Sequence, residues 1–174
     1  AKLIVANPKE IDLCRHASIF LQHKPGTDVA LLMGMMKLIV DQGLCDTAFI
    51  KDRCENYDEF AASLAEFDLA KVAKITGVKA ELIEKAAKVY AENGPAAILY
   101  CMGITQHSHG TDNVFALSNL ALITGNIGKP GTGVCPLRGQ NNVQGSCDMG
   151  ALRFCRLGGG KLLGEDDGIV GDVR

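Results

Sequence analysis

The chain has 174 residues, 47% of them hydrophobic, enough to bury the core of one domain. Eighteen Lys and Arg are set against 20 Asp and Glu, and the basic residues are scattered. That excludes the clustered positive charge that nucleic acid or an anionic membrane surface requires. The longest apolar run, Val29 to Val40, contains Lys37 and falls well short of the roughly 20 residues that cross a bilayer, so it reads as a buried helix with no membrane span. The 7 cysteines include no C-x-x-C pair, which predicts reduced, mostly buried thiols in a cytoplasmic protein.

In chain order, Lys2–Ala6 reads as a strand closed by Asn7-Pro8. A chain that opens in mid-strand without Met is expected to be an internal piece of something longer. Residues 10–22 place Ile11, Leu13, Cys14, Ala17 and Leu21 at helical spacing, predicting an amphipathic helix. His16 and His23 lack a third ligand and read as ordinary surface or core residues. Pro25-Gly26 breaks the chain, and Thr27 is expected to cap the buried helix that stops at Gly43.

Asn56 with Glu59 matches a capping box ahead of Phe60, Leu64 and Phe67. Residues 81–92 carry Leu82, Ala86 and Tyr90 inward, with Glu81–Lys85 and Glu84–Lys88 in the favourable i,i+4 order. Asn93-Gly94-Pro95 ends that helix. Ala96–Cys101 reads as a buried parallel strand, 102–110 as a loop, and 111–124 as a helix capped by Thr111 or Asp112 and ending at Gly125. Strand, loop and helix at this spacing form a βα unit, whose loop lies where open α/β sheets bind ligands.

The run Gly125-Asn-Ile-Gly-Lys-Pro-Gly-Thr-Gly-Val-Cys-Pro-Leu-Arg-Gly-Gln-Asn-Asn-Val-Gln-Gly145 concentrates glycines, side-chain amides and one arginine. Glycine admits close backbone approach, amides suit a heterocycle with several polar edges, and Arg138 offers a planar fork for a carboxylate or phosphate. The run therefore reads as a binding loop flanked by Cys135 and Cys147. His107-Ser108-His109 lacks a completing ligand and reads as a polar loop segment. No Walker sequence is present, and Gly131-x-Gly133 alone is weak evidence for a dinucleotide.

Three stretches carry a resemblance. Tyr100-Cys-Met-Gly-Ile-Thr-Gln-His107, Leu122-Ile-Thr-Gly-Asn-Ile-Gly-Lys-Pro-Gly131 and Pro136-Leu-Arg-Gly-Gln-Asn-Asn-Val-Gln-Gly145-Ser-Cys-Asp-Met-Gly-Ala-Leu152 together resemble the molybdenum- or tungsten-dependent formate dehydrogenases of the molybdopterin oxidoreductase superfamily. The resemblance implies an α/β class with a doubly wound, mostly parallel sheet flanked by helices. It covers 1–152 as a segment of the central domain and leaves 153–174 as a glycine-rich, acidic tail expected to be mobile. Arg138 matches the active-site arginine that holds the formate carboxylate, while Met102, Gly103, Gln106, Gly139 and Gln140 match residues that touch the pterin or line its cavity. The implied cofactor is bis-molybdopterin guanine dinucleotide with Mo or W. The metal ligand and the 4Fe–4S cluster are held by regions outside this sequence, and electrons leave to an electron-transfer subunit or carrier. Such a piece is expected to be inactive by itself. Two other classes stand beside this reading: a non-catalytic scaffold in an electron-transfer complex, and a pterin- or nucleotide-binding module without redox chemistry.

Overall fold

A computed structural model describes residues 1–139, 142, 143 and 145, and the backbone alone at 156, 157, 161 and 162. It divides into two compact units, Ala1–Pro136 and Leu137–Arg174.

The first unit is α/β with parallel pairing. Strand β1 (Ile4–Ala6) runs parallel to β2 (Ile19–Leu21), with Ile4 opposite Ile19 and Ala6 opposite Leu21. Residues 10–22 thus form no amphipathic helix: a 3-10 turn (Asp12–His16) leads into β2, and Ile11 and Leu13 stay exposed. The physical reason is non-local. Ile19-Phe-Leu is a β-branched and aromatic run whose backbone finds partners on β1, beginning with the Ser18 amide donating to the Leu3 carbonyl.

Helix α1 (Asp28–Asp41) is the centre of the core, packed against α4 (Leu69–Thr76), α5 (Ala80–Glu92) and α7 (Gly110–Ile123). Met36 and Ile39 are fully buried, as is Ile83 of α5. Each such side chain contributes roughly 1.5–3 kcal/mol of transfer free energy. Thr27 precedes α1 without capping it, because its hydroxyl donates back to the Lys24 carbonyl at 2.7 Å. Helix α2 (Thr47–Arg53) is capped by Asp46, and α4 by Asp68, with Gly77 in the left-handed region at its end. Asn56 precedes α3 (Tyr57–Ser63) at φ 56, where its side chain makes no cap hydrogen bond, so the expected capping box does not form. The Glu84–Lys88 pair closes at 2.8 Å, whereas Glu81 and Lys85 form no ion pair among the described residues.

Strand β3 (Ala97–Tyr100) pairs in parallel with β4 (Gly133–Pro136), Ala97 opposite Gly133 and Tyr100 opposite Pro136. The expected burial of β3 is only half realised. Ile98 and Tyr100 pack against the core, but Ala97 and Leu99 face outward, Leu99 being 65% exposed. Between the two strands lie the short helix α6 (Met102–Thr105) and then α7. Neither Thr111 nor Asp112 caps α7; its first turn starts after His109.

In the second unit, β5 (Arg156–Leu157) pairs antiparallel with β6 (Lys161–Leu162). The remainder of the expected tail, 153–174, lies outside the described residues.

Candidate functional site

The chain leaves β3 at Tyr100 and turns through α6 into α7, and the first four backbone carbonyls of that turn, from Cys101 to Ile104, each accept a hydrogen bond from within the protein. Cys101 O accepts from the Ile104 amide at 3.0 Å, and Met102 O accepts from the Gln106 amide at 2.9 Å. Gly103 O accepts from His107 Nε2 at 2.9 Å, which fixes the ring hydrogen on that nitrogen, because a carbonyl can only accept. Ile104 O accepts from Asn113 Nδ2 at 2.8 Å. The loop folds this tightly onto α7 because Gly110 has no Cβ; a methyl there would collide with the Thr105 carbonyl.

The turn also presents side chains to solvent. Met102 is 58% exposed, Gly103 and Gln106 are exposed, and a Cβ on Gly103 would meet nothing within 4 Å. Gln106 Nε2 donates to the Met102 sulfur at 3.4 Å, a weak acceptor, and its amide oxygen has no hydrogen-bond partner among the described residues. This face can receive a flat polar ligand, and it lies at the carboxyl end of a parallel strand. His107 and His109 stack with ring centroids 5.5 Å apart, and His107 serves the loop's backbone.

A second polar feature sits at the carboxyl end of β2. His23 Nε2 lies 2.9 Å from Asp28 Oδ1, both side chains being buried. Burial pushes the Asp28 carboxyl up, but hydrogen bonding and charge from His23, with a contribution from His107, bring it below the ordinary carboxylate value.

Within the glycine run, residues 125–136 are a turn followed by a strand. Its first part lies at the amino ends of β3 and β4 as a brace. Gly125, Gly128 and Gly131 turn there with φ between 64 and 79, and Thr132 closes the turn onto the Lys129 carbonyl at 2.7 Å. Asn126 is buried and spans from α7 to the start of β3. Gly133–Pro136 is strand, and it returns the chain to the carboxyl end of β3.

Arg138, in the second unit, follows Pro136 by two residues. Its side chain is exposed and has no carboxylate partner among the described residues. Gly139 is exposed, and a Cβ there would meet nothing within 4 Å. Gln140 and Cys147 lie outside the described residues. Sequence reasoning had passed over Asn113, Asn126 and the His23–Asp28 pair. The available signal for Asn113 was a polar residue at helical spacing from the buried Leu117 and Leu120.

Comparison with known proteins converges on one group. The molybdopterin oxidoreductase family matches residues 1–171. The chain is 51% identical over 151 residues to the alpha subunit of F420-dependent formate dehydrogenase 1 of Methanococcus maripaludis, covering 87% of this chain and 22% of the relative. It is 45% identical over 152 residues to formate dehydrogenase H of Escherichia coli, covering 87% of this chain and 21% of the relative. Among solved structures it resembles acetylene hydratase from Pelobacter acetylenicus, with TM-score 0.70 and 34% identity over 71% of this chain and 17% of that one. The chain thus spans about a fifth of the length of these curated relatives.

Proposed function

The chain belongs to the molybdopterin oxidoreductase family, and from that premise we propose that it is a segment of a formate dehydrogenase catalytic subunit, in which Arg138 holds the substrate carboxylate. The reading is carried by the exposed guanidinium of Arg138, which has no ion-pair partner among the described residues, within the Arg-Gly-Gln-Asn-Asn sequence. An arginine kept for structure is normally engaged by a carboxylate, whereas a substrate clamp must keep its fork open. Relatives named as formate dehydrogenases, 51% and 45% identical to this chain, support it. Family membership alone leaves the reaction open, since the similar solved structure is an acetylene hydratase.

The described residues fit a pterin. Met102, Gly103 and Gln106 are exposed on the turn after β3, and the open space at Gly103 would let a ring system approach the backbone. Met102, Gly103, Gln106, Gly139 and Gln140 would hold the group, a bis-molybdopterin guanine dinucleotide with Mo or W. When bound, that cofactor supplies the two-electron chemistry that takes formate to carbon dioxide. Arg138 binds and orients: two parallel N–H donors meet both carboxylate oxygens and fix the C–H direction, and a lysine point charge cannot do this. The metal's own ligand, the 4Fe–4S cluster and the contact with an electron-transfer subunit or carrier fall to chain beyond these residues.

The test is formate-dependent dye reduction, with pterin and metal content measured on the same samples. The full-length protein containing this segment is expected to reduce dye with formate and to hold stoichiometric metal, while the 174-residue chain alone does neither. Acetylene hydration without formate oxidation by the full-length protein would overturn the reading.

A further inference from the structure

We propose that Asn113 is the positioning residue of the pterin-facing turn: from inside the core it holds the Ile104 carbonyl and so keeps Met102, Gly103 and Gln106 turned outward. The proposal rests on the reading of that turn as the pterin contact.

Three observations carry it. First, Asn113 is fully buried on α7, at helical spacing from Leu117 and Leu120 on an otherwise apolar stripe. A leucine there would add apolar burial, so packing does not call for an amide.

Second, only half of the amide is used. Nδ2 donates to Ile104 O at 2.8 Å, while Oδ1 has no hydrogen-bond partner among the described residues. An unpartnered buried acceptor is costly, and a site that keeps it is kept for the geometry the other half enforces.

Third, the bond joins the turn to a different element. Cys101 and Met102 carbonyls are satisfied by the turn's own amides, and Gly103 O by His107, which is on the same loop. Asn113 supplies a side-chain anchor that ties this turn to a long helix of the core. The close contact of Gly110 with the Thr105 carbonyl works in the same direction, by bringing the loop down onto α7 where Asn113 can reach it.

Two measurements test this on Asn113→Leu and Asn113→Ser. Amide hydrogen exchange on the full-length protein prepared without cofactor reads the anchor by itself. Exchange at Ile104–Gln106 is expected to rise about tenfold, with the second half of α7 unchanged, as loss of one anchoring hydrogen bond implies. Unchanged exchange, or an equal rise throughout residues 1–136, would overturn the proposal.

In the full-length protein, the melting temperature is compared with and without cofactor. A merely structural asparagine lowers both forms equally. A positioning role lowers the cofactor-dependent increment and the retained pterin per protein, and an increment equal to wild type would overturn it. The serine variant serves if the leucine variant folds poorly. A wild-type protein that holds no pterin would sink the functional reading instead, and the exchange result would still report on the anchor.

Discussion

The side chain of Asn126 accepts a hydrogen bond from the Ala96 amide at 3.0 Å, across 30 residues of sequence. Its Nδ2 donates to Thr124 Oγ1 at 2.9 Å, and its own amide donates to Ala121 O at 2.8 Å. One residue therefore ties the end of α7 to the entry of β3, with the Tyr90 hydroxyl buried alongside. The Thr-Gly-Asn motif is a brace at the amino end of the strand pair, at the opposite end from the turn that follows β3.

Asn126→Ala leaves the Ala96 N–H without its partner and is expected to cost about 1–3 kcal/mol. Urea unfolding of the 174-residue chain should show a lower midpoint at unchanged slope. A midpoint equal to wild type would remove Asn126 from this structural role.

Gly125 and Gly128 both sit at positive φ, 64 and 73, yet their surroundings differ. A Cβ on Gly125 would collide with Asp46 Oδ2, whose carboxylate caps α2 at Phe49 N and lies 3.6 Å from Lys129 Nζ, whereas a Cβ on Gly128 would meet nothing within 4 Å. Gly128→Ala should cost only the left-handed backbone term of about 1–2 kcal/mol. Gly125→Ala should cost clearly more, because the Asp46 cap, itself worth about 1 kcal/mol, is displaced as well. Thermal melts of the two variants compare them directly, and equal losses would count against the close approach at Gly125.

Acid should reach the His23–Asp28 pair. Asp28 has a folded-state pKa below its unfolded value despite its burial. Its ionised form therefore stabilises the fold above the unfolded pKa of about 3.9, and that contribution disappears as pH falls through the lower folded value. Stability measured by urea should drop between pH 5 and pH 3 by more in wild type than in Asp28→Asn. Parallel acid profiles for the two proteins would show that the pair contributes nothing.

How much of this was legible in the sequence depended on whether the signal was local. Helices α1, α5 and α7 follow from apolar runs or 3.6-residue periodicity with a breaker at Gly43, Pro95 and Gly125. Strand β2 was hidden because its partner is β1, and the intervening Ile11 and Leu13 mimic a helical stripe. Helix α4 had usable signals, an Asp68 cap and Gly77, in a segment whose apolar face is short. Strand β4 was lost inside the glycine run, since four residues reading Gly-Val-Cys-Pro become strand only by pairing with β3. The exposure of Leu99 could not be read at all, because it depends on which elements cover the sheet.

For the candidate site, the turn after β3 was legible from the strand–loop–helix order, and residues 102, 103 and 106 do face outward from it. The inward half of the same turn was not. Asn113 acts through tertiary contact, and its role becomes visible only when the loop is seen folded onto α7.

Steady-state kinetics of Arg138→Lys in the full-length protein, with pterin content measured in parallel, decide whether Arg138 clamps the formate carboxylate as proposed. Loss of one partner of a charged, bidentate contact predicts a fall in kcat/KM for formate of about a hundredfold at unchanged pterin content. A lysine variant with wild-type kcat/KM and normal cofactor would contradict the account.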